Sequence, residues 1–511
     1  MGPVFVHRTS HRLLPDRSRV IAKPFLPGSE LGSSTPRAAV ILNRVLAMPE
    51  RVVTDLLAGV LARFAGRHRN FEGILEQNFD RVAHFLSADA NPNREQRLLA
   101  GAFFTHEYSI EAAALFNPSM VSAPDQSGLE PGAERFVMSL RAVGEGHLSS
   151  IEFRTGVIDA HGEIAFEPTS PSATTGIRKP ATCHKKHFIE KLIELRADSD
   201  VARNVLDPLP EFFSLDELEA SIARVDQRLS LPPPPAATAL ARADRLSLSP
   251  ATAFQTINSV HALASSNYVT SFPEEMPMSE RVLFPSGPYE TNGMEDARFV
   301  RFVDDDGAVT YYATYTAFDG FEILPQLIET KSFQSFRIST MRGSCAQNKG
   351  MALFPRRVGG RYAMLGRSDR ESIFFMTSDD IRSWDETSVL KTPSNAWELI
   401  QIGNSGPPIE TEAGWLVLTH GVGPMRCYAL GAILLDLDDP RRVIAELPTP
   451  LMLPQDDERE GYVPNVLYTC GGMIHHDQLV LPYGFADFGT KIALISISDL
   501  LGALREHSCG G

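Results

Sequence analysis

Four phrases in the C-terminal half of the chain share one texture: YYATYTAFDG (311–320), RYAMLGRSDR (361–370), GWLVLTHGVG (414–423) and QLVLPYGFAD (478–487). In each, an apolar run rich in β-branched and aromatic residues stops abruptly at glycine or charged residues, the pattern of a strand that ends at a functional edge. Their starts are separated by about 50, 53 and 64 residues, the scale of one four-stranded unit with its loops. RFVMSLRAVG (135–144) makes a fifth. Five such phrases predict an all-β, five-bladed β-propeller in which inner strands deliver side chains to a central, water-accessible channel. A pair of β-sandwiches would also repeat strand phrases, and a helical solenoid fits poorly because turn residues fall too often after 265.

Two segments depart from this texture. After a polar N-terminal arm, Val53, Leu56, Leu57, Val60, Leu61 and Phe64, then Phe71, Ile74, Leu75, Phe79, Val82 and Leu86, recur at helical spacing and predict two amphipathic helices. Residues 181–265 interrupt the strands with Phe188, Leu192 and Leu195 on one helical face and a capping box from Ser214 to Glu217. The four prolines at 232–235 cannot lie inside a helix and predict an extended connector. The expected organisation is an arm and helical extension over 1–105, a first blade region over 106–180, a helical insertion over 181–265 and the remaining blades over 266–511.

Composition limits the partners. A chain of 511 residues with 43% hydrophobic and 22% charged residues has ample apolar material for a folded core. Its net charge of −15 disfavours nucleic acid or an anionic membrane as the main partner. Cys183, Cys345, Cys427, Cys470 and Cys509 are scattered without a C-x-x-C pair, which suggests neither a disulfide framework nor a zinc site. The first twenty residues have no apolar core of a secretory signal, and no apolar run reaches spanning length. A cytoplasmic location is therefore expected. His475 and His476 are adjacent and cannot both face one strand-built metal site, so no metal is expected. DLDDP (436–440) lacks the ligand spacing and glycine of a calcium loop and reads as a turn.

The phrase NGMEDARFVRF (292–302) resembles the Glu-Asp-Pro-Arg motif of glycoside hydrolase family 130, the β-mannoside phosphorylases and β-1,2-mannosidases. ALFNPS (114–119), NKGMALFPRRVGGRYAMLGR (348–367), TSDDIRSW (377–384), the block from Gly414 to Pro440, and EGYVPNVLYTCGG with LPYGFAD (460–487) match in the same order. The resemblance covers about 115–180 and 265–500 and implies a five-bladed propeller with the sugar at its axis. Ala297 stands where many relatives have proline, and Lys349 where some phosphorylase subgroups have arginine.

Cleavage of a glycosidic bond usually takes an acid for the leaving oxygen and a second carboxylate as nucleophile or base. In a phosphorylase, inorganic phosphate supplies the nucleophilic oxygen, and cationic donors replace the second carboxylate. The resemblance implies Asp296 as the proton donor, acting through a hydroxyl of the bound mannose. It implies Arg141, Lys349, Arg367 and His420 as phosphate ligands, and Asn117, Glu460 and Asp487 as ligands of sugar hydroxyls. Tyr428, Tyr315 and Tyr483 lie near strand ends where they could stack on a pyranose, while Trp384 and Trp415 read as core. The expected activity is transfer of a β-linked mannosyl unit from a manno-oligosaccharide to inorganic phosphate, giving α-mannose 1-phosphate, with no cofactor beyond that co-substrate. The alternatives are a β-mannosidase, with Glu371, Glu398, Glu412 or Glu460 as base towards water, and a non-catalytic carbohydrate-binding propeller. The helical additions are expected on the rim, closing the acceptor side or forming a homo-oligomer interface.

Overall fold

The computed structural model describes residues 4–28, 36–230 and 250–508. The proline run at 232–235 and Cys509 lie outside these residues. The protein is largely β, with helices grouped near the N-terminus and in the insertion and one more, Ile497–Glu506, after the last strand.

Its strands form five antiparallel groups, each described here from its inner strand outwards. The first runs Ala114–Ser122, Glu134–Val143, Ser149–Ile158, Ile164–Phe166, and the second Gly293–Val303, Val309–Phe318, Ile323–Thr330, Ser335–Thr340. A parallel pairing of Gly293 with Ser149 joins these two. The third is Ala352–Leu353, Tyr362–Gly366, Ile373–Ser378, Glu386–Lys391, and the fourth Gln401–Asn404, Gly414–Val422, Tyr428–Leu435, Val443–Glu446. The fifth is Leu467–Tyr468, Gln478–Phe485, Gly489–Ser496 and, from the other end of the chain, Val6–Leu13. The N-terminal arm, expected outside the sheets, thus pairs Val6 with Ile495 and Leu13 with Thr490. Unpaired amides on the edge of Gly489–Ser496 attract a strand that no local pattern announces.

The five repeated phrases occupy one structural position. Each is the second strand of its group, one removed from the inner strand on which they were expected. Both faces of these strands are covered, which is why Gly414–Val422 is buried throughout. Alternation still sorts the side chains: Trp415 and Val417 pack with Phe354 and Phe375 of the third group, Leu416 and Leu418 with Leu481 and Ile495 of the fifth. Equivalent apolar layers lie between the first and second groups around Phe153 and Phe299, and between the second and third around Phe302 and Met364. A further layer joins the fifth group to the first through Val480, Ile492, Leu115 and Met138, so the packing returns on itself. Trp384 and Trp415 are fully buried, as expected of core residues.

Four helices, Arg37–Leu46, Glu50–Phe64, Phe71–Val82 and Arg94–Phe103, stand where two were expected. Pro49 and Asn70 punctuate the apolar run, and Asn93 opens the fourth with a capping box to Gln96. The insertion carries Lys185–Glu194, Asp200–Leu206, Leu215–Ser230 and Pro250–Ser265 around its own core of Phe188, Leu192, Val205, Phe213 and Leu263. The predicted capping box is present: Glu217 donates its amide to Ser214 Oγ at 3.2 Å and its carboxylate accepts from the Ser214 amide at 2.8 Å. Strands Ile177–Pro180 and Tyr268–Ser271, which bracket the insertion, pair with each other on the outer edge of the second group. No helix among the described residues is long and apolar enough to cross a membrane.

Candidate active site

Two inner strands are broken in the same way. The ladder slips between Phe116 and Ser119 in the first group and between Glu295 and Arg298 in the second. At the equivalent position of each bulge, Asn117 and Asp296 adopt left-handed backbone, with φ of 48° and 55°. A bulge of this kind re-aims a side chain at the cost of local strain. Here it brings the two together, Asn117 Nδ2 donating to Asp296 Oδ1 at 2.7 Å. Asp487, at the end of the fifth group's second strand, is also left-handed, with φ 48°.

The second strand of the first group supplies Arg141. Its Nη1 donates to Asp296 Oδ1 at 3.3 Å, its Nη2 to Glu295 Oε1 at 2.7 Å, and its Nε to Ser149 Oγ at 2.9 Å. Lys349 reaches Glu295 from the other side, Nζ to Oε2 at 2.5 Å. Two of the four side chains expected on phosphate are therefore engaged by Glu295, because a carboxylate at this range takes the donors first.

The other two expected phosphate ligands, Arg367 and His420, meet elsewhere in the same cluster. Arg367 Nη1 donates to His420 Nε2 at 3.4 Å, and His420 Nδ1 then carries the proton facing Ser405 Oγ at 3.0 Å. Beside them lies Arg298, two residues after Asp296. It is 2% exposed, donates from Nη2 to the Tyr468 hydroxyl at 2.6 Å, and leaves Nε and Nη1 without hydrogen-bond partners. Arg367 Nε is likewise buried and unpartnered. Glycines make room for this arrangement: a Cβ on Gly350, whose φ is 91°, would come within 3.2 Å of Arg298 Nη1, and one on Gly403 within 2.5 Å of His420 Cε1. Tyr468 packs on His420 with ring centroids 4.8 Å apart, and the Tyr428 ring lies parallel to that of His420 at 6.2 Å.

Electrostatics separates the two aspartates. Burial pushes the Asp296 carboxyl up, but Arg141, the Asn117 amide, Lys349 and Arg298 together outweigh it and hold it below the usual carboxylate range. Asp487 is pushed up to about 6 by burial and by the Asp296 charge, which Arg141 and Arg426 only partly offset. Burial, with Arg367 and Arg298 nearby, holds the His420 imidazole well below its ordinary value and keeps it neutral.

The remaining expectations divide. Asn117, Asp296, Asp487, Arg141, Lys349, Arg367, His420 and Tyr428 fall in one connected cluster. Glu460 is exposed, with no hydrogen bond among the described residues. Tyr315 and Tyr483 are core residues whose hydroxyls donate to Glu290 at 2.6 Å and Glu458 at 2.7 Å. Glu371 and Glu412 are exposed, and Glu398 closes a turn by accepting from the Ser394 and Asn395 amides at 3.0 and 3.1 Å. His475 bonds Glu134 at 3.2 Å and the Asp159 carbonyl at 2.9 Å, and Asp436 accepts from the Asp438 and Asp439 amides as a turn residue does. Arg298 and Tyr468 were missed. The one signal for Arg298 was its place as the arginine of the MEDAR phrase.

A family model described as beta-1,4-mannooligosaccharide phosphorylase matches residues 262–506. The chain is 35% identical over 234 residues to a 1,2-beta-oligomannan phosphorylase of Thermoanaerobacter sp. strain X514, covering 44% of this chain and 75% of that protein. It is 36% identical over 221 residues to a beta-1,2-mannobiose phosphorylase of the same organism, covering 42% and 70%. The solved structure of the Listeria innocua beta-1,2-mannobiose phosphorylase with beta-1,2-mannobiose aligns over 78% of this chain and 94% of that one, at 21% identity and a TM-score of 0.44. On the extent and identity of the sequence matches, the chain belongs to glycoside hydrolase family 130.

Proposed function

We propose that this chain is a β-mannoside phosphorylase, transferring the mannosyl unit of a manno-oligosaccharide to inorganic phosphate with inversion to give α-mannose 1-phosphate. The observation that carries this reading is Arg298: a guanidinium 2% exposed, beside Arg367 and His420, with two nitrogens unpartnered. A buried cation with free donors is costly unless an anion completes it, and guanidinium forks match phosphate oxygens. Arg298, Arg367, His420 and the Tyr468 hydroxyl form the phosphate seat; Arg298 stands within electrostatic reach of Asp296, which Arg141 ties to Glu295 and Lys349.

Asp296 is the proton donor. Its carboxyl is ionised while the cations around it are uncompensated; a hydrogenphosphate on Arg298 and Arg367 adds negative charge and favours the protonated form. Asp296 then gives its proton, through a sugar hydroxyl, to the departing glycosidic oxygen. A phosphate oxygen bonds the anomeric carbon from the opposite face as the carbon–oxygen bond breaks, and the proton of the hydrogenphosphate restores Asp296. Asn117 and Asp487 hold the mannosyl hydroxyls, and Tyr428 lies along the phosphate side. No cofactor is required.

The five strand groups are read as blades of a five-bladed β-propeller. Support comes from the ring of apolar layers and from the inner strands. A cavity of about 560 Å3 is lined by Met120 and Val300 of the first two inner strands and by Pro355, Pro407 and Met473, which follow the inner strands of the other three groups. A reducing cytoplasm fits the four free cysteines among the described residues.

Steady-state kinetics with a β-mannobiose and orthophosphate tests the assignment of the seat. Arg367→Ala should raise the KM for orthophosphate by about 10- to 100-fold, the loss of a charge-assisted hydrogen bond, while the KM for the disaccharide changes little. An unchanged phosphate KM would remove Arg367 from the seat.

A further inference from the structure

A second cavity, of about 360 Å3, lies between the helical insertion and the outer strands of the second group. Its lining contains Lys191, Arg337, Arg342 and Arg382 and no carboxylate, in a chain of net charge −15. The carboxylates that balance these cations sit behind the lining. Lys191 pairs with Glu194 at 2.8 Å, Arg382 with Glu329 at 2.6 Å, and Arg342 with Asp380. Arg337 is exposed and has no ion pair among the described residues. One wall is aromatic: the rings of His184 and His187 stack at 4.2 Å, and Phe212 meets His184 edge-on at 4.9 Å. His184 Nδ1 is buried without a hydrogen-bond partner, while its Nε2 faces the Glu211 carboxylate at 3.4 Å.

We propose that this cavity binds a phosphate ester carrying a ring, of the class of a hexose phosphate or a nucleoside monophosphate. Arg337 offers a guanidinium with no ion pair, while Lys191, Arg342 and Arg382, each already ion-paired, add positive charge around the cavity; a phosphate dianion accepts forked hydrogen bonds from such a set better than a single carboxylate does. The free His184 nitrogen supplies a further donor. The stacked imidazoles and the Phe212 edge give the ring a flat face, and the volume suits a small ligand. Burial, with Arg342 and His184 near, holds His187 below its ordinary value, and a bound dianion would relieve that repulsion. None of these residues belongs to the axial cluster, so the site stands apart from the proposed reaction.

Calorimetric titration of the full chain with α-mannose 1-phosphate, adenosine 5′-monophosphate and orthophosphate tests the proposal in wild type, Arg337→Glu, Phe212→Ala and Arg367→Ala. Arg337 and Phe212 are both exposed, so their replacement leaves the fold intact. At least one ester should bind the wild type with a component that weakens tenfold or more in Arg337→Glu and several-fold in Phe212→Ala. That component should persist in Arg367→Ala, with turnover unchanged in the two outer-site variants. The preferred ester identifies the ligand as hexose phosphate or nucleotide. Identical titrations in all four proteins, or orthophosphate binding as tightly as the esters, would overturn the assignment. A wild type with no phosphorolysis but with this component would fail the axial reading alone.

Discussion

Asp296 and Asp487 share one basin of charge yet are driven in opposite directions, the former held ionised by Arg141 and Asn117, the latter pushed up to about 6 by burial and by Asp296 itself. The rise at Asp487 has a stability consequence. A carboxyl whose folded pKa lies above its ordinary 3.8 favours the folded state below that value and loses the benefit as pH rises towards about 6. Asp487→Asn should therefore gain stability relative to wild type on going from pH 4 to pH 7, by on the order of 2 kcal/mol, measured by denaturant unfolding at both pH values. A difference independent of pH would mean that Asp487 is ionised in the fold. Most of this cluster was legible from residue type and motif order, because a proton donor, hydroxyl ligands and anion ligands each demand particular side chains. Arg298 was not, since an arginine near two carboxylates reads as their ion-pair partner until the bulge is known to turn it towards Tyr468.

The bulges at Asn117-Pro118-Ser119 and Asp296-Ala297-Arg298 are the same element used twice. In the first, proline follows the left-handed residue directly, and the Pro118 carbonyl accepts from the Cys470 amide at 2.8 Å. In the second, alanine occupies the proline position, and neither Asp296 nor Ala297 has a partner in the strand ladder. Ala297→Pro should thus fit without strain, keep activity and raise stability by about 0.4–1 kcal/mol through the unfolded chain, read from equilibrium unfolding. A loss of stability would show that the two bulges differ in backbone. The repeated phrases were visible in sequence because a fully covered strand is apolar on both faces. Their inner neighbours were not, because Ala352–Leu353 and Leu467–Tyr468 are two residues long and carry no periodicity. Nor did local pattern reveal Val6–Leu13, whose alternately half-exposed residues become a strand only by pairing with Gly489–Ser496, more than 470 residues away in sequence.

At the scale of the molecule, five strand groups packed in a ring set the side chains of distant segments against one another. Asn117, Arg141, Asp296, Lys349, Arg367, His420 and Asp487 span 371 positions of the chain and meet at one end of the inner strands. This convergence explains how a chain of net charge −15 holds a pocket rich in cations: topology gathers Arg141, Arg298, Lys349 and Arg367 around Glu295 and Asp296. The helical segments before the first group and between the first two add cores of their own without supplying a residue to that cluster. The central claim is that phosphate, and not water, attacks the anomeric carbon opposite Asp296. A β-mannobiose incubated with the enzyme and orthophosphate in oxygen-18-labelled water, followed by phosphorus NMR and mass spectrometry, tests it most directly. The account predicts a new sugar phosphate whose formation requires orthophosphate, and no oxygen-18 in the transferred mannosyl unit. Free mannose carrying oxygen-18, released at a rate indifferent to orthophosphate, would contradict it.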